Sequence, residues 1–127
     1  MRKLKNIKIK ICGIKNKTTL DCCNQCKVSY FGLLFYKKSP RSINIKQATE
    51  LIDYQKKFKS IPVGVFVNHD FNDLNKLIKK TNLKNIQLHG DEDNEYISRL
   101  KDKNNLTVIK TINVQNKNDF YKMELYF

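Results

Sequence analysis

The chain has 127 residues, a formal net charge of +13 and 40% apolar residues. That length admits one domain with a real core and excludes two ordinary ones. Short apolar blocks between polar stretches exclude a disordered chain, and no apolar run approaches the roughly 20 residues that span a bilayer.

In chain order, the N-terminus alternates isoleucine with lysine and lacks the uninterrupted apolar stretch of a signal peptide, so the expected location is cytoplasmic. The segment Ile7 to Cys12, IKIKIC, has the period of a strand, and Gly13 ends it. A helix is expected over about Thr18 to Lys27, with Thr18 or Thr19 as its cap. Tyr30 to Tyr36 is apolar throughout, as a strand covered on both faces should be. Pro40 then breaks any regular element. A second helix follows over about Ile45 to Lys57, with Ala48, Leu51, Ile52 and Phe58 on its apolar face. Pro62 opens a third strand, Val63 to Val67. Asn68 to Asp70 cap a third helix, about Phe71 to Lys80, with Leu74, Leu77 and Ile78 inward. The fourth strand, Asn85 to His89, ends at Gly90, and a fourth helix spans about Glu92 to Lys101. Leu106 to Ile112 forms a fifth strand, and Asn118 to Met123 begins a fifth helix.

These strand ends recur about every 22 to 31 residues, the beat of repeated βα units with a parallel sheet. No linker or low-complexity tract divides the chain, which reads as a single domain over residues 1–127. An open doubly wound sheet and part of a barrel both fit. A barrel needs eight units, and five strands are counted here.

Nearly all the positive charge is lysine; Arg2, Arg41 and Arg99 are the arginines. The lysines are spread along the whole chain and accompany abundant Asn and Ile. Biased base composition accounts for that, and a nucleic-acid footprint is not expected. Cys23 and Cys26 form a lone CxxC without the second pair that a zinc site uses. Cys22, Cys23 and Cys26 are therefore expected to be small buried helix residues that bind no metal.

Unusual polar residues gather at the C-terminal ends of the strands, where parallel α/β folds build their sites. Cys12 closes the first strand, Ser39 and Arg41 follow the second, and Asn68 follows the third. Gln87 and His89 share one face of the fourth, and Lys110 lies near the end of the fifth. Five blocks then carry a resemblance, in order and spacing: KICGI (Lys10 to Ile14), GLLFYKKSPR (Gly32 to Arg41), VGVFVN (Val63 to Asn68), QLHGDE (Gln87 to Glu92) and VIKTI (Val108 to Ile112). Together they resemble the phosphoribosylanthranilate isomerases of tryptophan biosynthesis, which are (β/α)8 barrels.

The resemblance implies an Amadori rearrangement of N-(5-phosphoribosyl)anthranilate, needing neither cofactor nor metal. Cys12 corresponds to the general base, and Lys10, two residues earlier on the same strand face, adds a charge beside it. Arg41 corresponds to the arginine that holds the anthranilate carboxylate, a task suited to a planar guanidinium. Gln87 and His89 correspond to substrate-binding residues, while Lys110 and Asn68 are expected to fill the barrel interior or fix loops. The fold expected is α/β, an incomplete TIM barrel of about five of eight strands. The sequence departs from the family in three ways. None of its twelve acids matches the aspartate that ends the sixth strand and acts as general acid. The glycine-rich phosphate loops are missing, and Leu125 to Phe127 fall where the sixth strand would start. Residues 1–127 are therefore expected to be inactive alone. Two rivals remain, a basic α/β module that binds nucleic acid or another anion, and a half-barrel that self-associates; the oligomeric state is open.

Overall fold

The computed structural model describes residues 6–126; Arg2 and Phe127, named above, lie outside them. The elements are β1 (Lys10–Cys12), α1 (Lys17–Gln25), β2 (Tyr30–Leu34), α2 (Ile45–Gln55), β3 (Ile61–Phe66), α3 (Phe71–Thr81), β4 (Asn85–Leu88), α4 (Asn94–Lys103), β5 (Thr107–Lys110) and α5 (Lys117–Tyr121). A 3-10 turn, Lys122–Tyr126, follows. Neighbouring strands are all parallel, in the order β1-β2-β3-β4-β5. A doubly wound sheet reverses its order beside the first strand, so this is the sequential sheet of a barrel.

Each helix starts on a polar cap. Asn16, Asn44, Asp70, Asp93 and Asn116 accept backbone N–H groups of the first turns that would otherwise lack partners. The cap of α1 is Asn16, whose Oδ1 accepts from Thr19 N at 2.8 Å, and not Thr18 or Thr19. All the long helices lie on one side of the sheet. Phe31, Leu33, Phe66, Ile86 and Leu88 of the strands are buried in one cluster with Leu20, Leu51, Leu74 and Leu100 of α1 to α4. Burying one such side chain contributes about 1.5–3 kcal/mol, which is why the apolar spacing of these segments decides the layer. Strand side chains alternate, so the opposite face carries Lys10, Cys12, Gly32, Val63, Val65 and Gln87.

Several sequence expectations need correction. Regular pairing of β1 begins at Lys10, and Ile7, Ile9 and Ile11 are exposed. Only Cys23 of the cysteine trio is buried, because Cys22 points off the packed face and Cys26 caps the helix; both are exposed. Phe58 lies beyond α2 and is exposed, and its inward place is taken by Gln55, which exchanges amide hydrogen bonds with Asn24. Leu125 and Tyr126 belong to the 3-10 turn and not to a strand. Part of the lysine excess has a local role. Lys79 and Lys80 end α3 and Lys101 and Lys103 end α4, where positive charge complements the helix dipole. Among the described residues no helix is long and apolar enough to cross a membrane.

Candidate active site

β1 ends at Cys12, and Gly13 turns the chain away with φ +86°, a conformation that glycine adopts without strain. Gly13 N and Ile14 N both donate to Gly32 O at 3.0 Å, which ties this turn to β2. Arg41 reaches it from the loop after β2, and its Nη1 donates to Cys12 O at 2.8 Å. A methyl group on Gly13 would stand 2.7 Å from that nitrogen, so the guanidinium crosses where a side chain would be. The loop is held by Ser39 Oγ, which accepts from Arg41 N at 3.2 Å, and by Lys15 Nζ, which donates to Pro40 O at 3.2 Å.

The Cys12 side chain is half-buried on the face away from the helices, directly opposite Gly32. A methyl group on Gly32 would come within 2.8 Å of Cys12 Sγ and 3.2 Å of Lys10 Nζ. The missing side chain is therefore what makes room for both groups.

Gln87 and His89 lie at the same end of the sheet but form a separate group, with β2 and β3 between them and β1. Gln87 Nε2 donates to Thr111 Oγ1 at 2.7 Å. His89 is exposed and borders a cleft of about 220 Å³ shared with Lys110, Thr111, Lys122 and Tyr126. Cys12 with Arg41 and Gln87 with His89 thus stand as two groups of residues at this end of the sheet. A larger cleft, of about 700 Å³, opens between Phe35, Ile43, Lys46 and His69, and neither Cys12 nor Arg41 lines it.

Lys110 faces the helix side, away from the sheet face that carries Cys12. It pairs with Glu92 at 3.1 Å, the lysine side chain largely buried and the carboxylate fully so, and it also donates to Gly90 O. Glu92 Oε1 accepts from Asn68 N at 2.8 Å and Oε2 from Gly90 N at 2.9 Å. Asn68, at φ +49°, accepts from Asp91 N at 2.7 Å. One carboxylate therefore fastens the ends of β3, β4 and β5 together, and Lys110 and Asn68 are loop-fixing residues. Glu92 was missed in the sequence. Its signal was Lys110 itself, since a lysine inside an apolar strand needs a buried anion. His69, also missed, is half-buried, and burial pushes its imidazole below the usual histidine range. Among the described residues no group of three or more His, Cys, Asp or Glu gathers as a metal site.

Residues 9–126 match the family described as N-(5'phosphoribosyl)anthranilate (PRA) isomerase. The chain belongs to that family. It is 38% identical over 121 residues to the N-(5'-phosphoribosyl)anthranilate isomerase of Thermoanaerobacter pseudethanolicus, covering 94% of this chain and 57% of the relative. The isomerase of Clostridium acetobutylicum is 38% identical over 121 residues, with 94% and 56% covered. The isomerase of Thermotoga maritima superposes with a TM-score of 0.85 at 29% identity, over 93% of this chain and 56% of that one. A family structure in complex with reduced 1-(o-carboxyphenylamino)-1-deoxyribulose 5-phosphate also gives 0.85 at 29% identity, over 93% and 59%. The chain thus spans rather more than half the length of the relatives it matches.

Proposed function

We propose that these residues supply the base and carboxylate-binding part of an isomerase that converts N-(5'-phosphoribosyl)anthranilate to 1-(2-carboxyphenylamino)-1-deoxyribulose 5-phosphate. The observation that carries the reading is the meeting of Cys12 and Arg41 at the C-terminal end of β1, within a chain of this family. In the rearrangement an acid protonates the ring oxygen, the C1–O bond breaks, and C1 becomes an iminium carbon joined to the anthranilate nitrogen. Cys12 removes the C2 proton. The C–H electron pair forms a C1–C2 double bond, and the iminium electrons return to nitrogen. Proton gain at C1 and loss from the C2 hydroxyl then give the ketone. A positioned base contributes about 10²–10⁴ in rate. Arg41 holds the anthranilate carboxylate with paired, charge-assisted hydrogen bonds. Gln87 and His89 line the far side of the same substrate.

None of the twelve acids lies on a strand. The acid, and the groups that grip the phosphate, come from outside these residues. The test is complementation of a tryptophan auxotroph lacking this isomerase by these residues joined to the last three βα units of a family barrel. Rescue that Cys12→Ala abolishes supports the reading, and rescue indifferent to Cys12→Ala sinks it.

A further inference from the structure

Lys10 is the group at the site that the mechanism leaves without a task. Its ammonium is brought beside the thiol by simple geometry. Residues two apart on a strand share a face, the lysine stem is long, and Gly32 opposite leaves the space open. Sγ of Cys12 and Nζ of Lys10 stand 2.8 and 3.2 Å from the one point where a Gly32 methyl would be. Lys10 is half-buried, and among the described residues it has neither an ion pair nor a hydrogen-bond partner. The acids are all off the strands, and none pairs with Lys10 among the described residues. Withdrawing an ammonium from water without an anion or oxygen to replace the lost hydration is unfavourable. A ligand that brings an oxygen within hydrogen-bond reach of Lys10 Nζ offsets that cost.

We infer that Lys10 is a second catalytic residue, whose ammonium donates to the oxygen on substrate C2 while Cys12 takes the proton from the same carbon. The inference rests on the isomerase reading above. A carbon and its own oxygen are one bond apart, so two groups that lie side by side on one sheet face can serve both. The hydrogen bond holds C2 with its proton toward the thiol, and it steadies that oxygen as it changes from hydroxyl to ketone.

The experiment follows alkylation of each cysteine by mass spectrometry, with iodoacetate and with iodoacetamide. The two reagents differ by one negative charge, so their rate ratio at Cys12 reports the local positive charge. Exposed Cys22 and Cys26 serve as internal references, and buried Cys23 stays unreacted while the fold is intact. Arg41 is present in every arm, so differences belong to Lys10. Lys10→Met should lower the iodoacetate to iodoacetamide ratio at Cys12 by about threefold to tenfold, as expected for a unit charge a few ångströms away in a wet cleft. Lys10→Arg should keep it. Lys10→Gln replaces Lys10→Met if the latter exposes Cys23. The second arm uses these residues joined to the last three βα units of a family barrel, which supply the phosphate grip, and protects Cys12 with 1-(2-carboxyphenylamino)-1-deoxyribulose 5-phosphate. Loss of one charge-assisted hydrogen bond should raise the half-protecting concentration in Lys10→Met about tenfold or more. An unchanged ratio in a folded variant, or equal protection in variant and wild type, overturns the inference. Absence of protection in the wild type overturns the isomerase reading instead, and the reagent ratio still decides where the Lys10 charge lies.

Discussion

At the scale of single residues, two glycines decide whether the chemistry can assemble. Gly32 leaves room for Cys12 and Lys10, and Gly13 lets Arg41 cross the end of β1. Gly32→Ala is expected to push the thiol aside and to strain the backbone of Cys12, which would lie 3.0 Å from the new methyl. Overpacking of that kind costs about 1–3 kcal/mol, and a denaturant titration measures it. The same variant should slow Cys12 alkylation relative to Cys22, and an unperturbed Cys12 rate would contradict the packing argument. Arg41→Lys keeps the charge but loses the planar fork and the bond to Cys12 O. Affinity for the carboxyphenylamino product should fall about tenfold or more, the size of a lost charge-assisted hydrogen bond, by calorimetric titration. The meeting of Cys12 and Arg41 at the end of β1 was legible because short motifs fix their strand-end positions. Lys10 was legible as a neighbour of Cys12, through strand alternation. Glu92 was not, because its role depends on Asn68 and Lys110, which the chain brings to it from 24 and 18 residues away. The burial of Cys22 and Cys26 was misread for a related reason, since a short helix exposes most of its surface and composition does not say which face packs.

Among the elements, the strands and helices were each recognisable from period and caps, while their ends shifted by a few residues. Periodicity records which side chains are buried, and the hydrogen bonds that bound an element depend on its neighbours. β1 shows this, since pairing starts only where Tyr30 becomes available opposite Lys10. What joins the elements at the site end is the Glu92 cluster, and its two members should not be equivalent. Glu92→Leu leaves the Lys110 ammonium without its anion and removes the acceptor of two backbone N–H groups, and it is expected to cost about 3–5 kcal/mol. Lys110→Met leaves the carboxylate its two N–H donors and should cost less, about 1–3 kcal/mol. Equal losses in denaturant unfolding would show that the ion pair alone matters. At the start of α5 the Asp119 carboxylate pairs with Lys122 at 2.6 Å and accepts from Gln115 N at 2.7 Å and Asn116 N at 3.1 Å. The Lys122 hydrogen bond, then those two N–H groups, hold it down to about 2. A carboxylate depressed in this way stabilises α5 fully above the ordinary carboxylate range, and the contribution disappears as pH falls through about 2. The amide shifts of Gln115 and Asn116 should follow that midpoint by NMR, and Asp119→Asn should flatten both curves.

For the molecule as a whole, the sheet is the sequential arc of a barrel whose first and fifth strands each have one strand neighbour. Ile7, Ile9 and Ile11 line the outer side of the β1 edge, and Phe120, Tyr121, Met123 and Leu125 lie exposed after β5. Free strand edges with apolar flanks favour association, and a closed barrel removes them by pairing first strand to last. The chemistry divides along the same line. On the reading proposed above, Cys12, Lys10 and Arg41 of this arc supply the base and the carboxylate site, while the acid and the phosphate grip fall to other residues. Loss of a general acid alone typically lowers the rate about 10²–10⁴-fold. Loss of the phosphate contacts removes binding energy that positions the reacting sugar. A polypeptide of residues 1–127 is therefore expected not to rescue a tryptophan auxotroph that lacks this isomerase. Co-expression with a separate polypeptide carrying the last three βα units of a family barrel should restore growth, because that piece supplies both missing groups and pairs with both edges. Cys12→Ala in the first polypeptide should abolish that growth. Rescue by residues 1–127 alone, lost on Cys12→Ala, would mean that an acid within these residues reaches the substrate, and the division of labour argued here would be wrong.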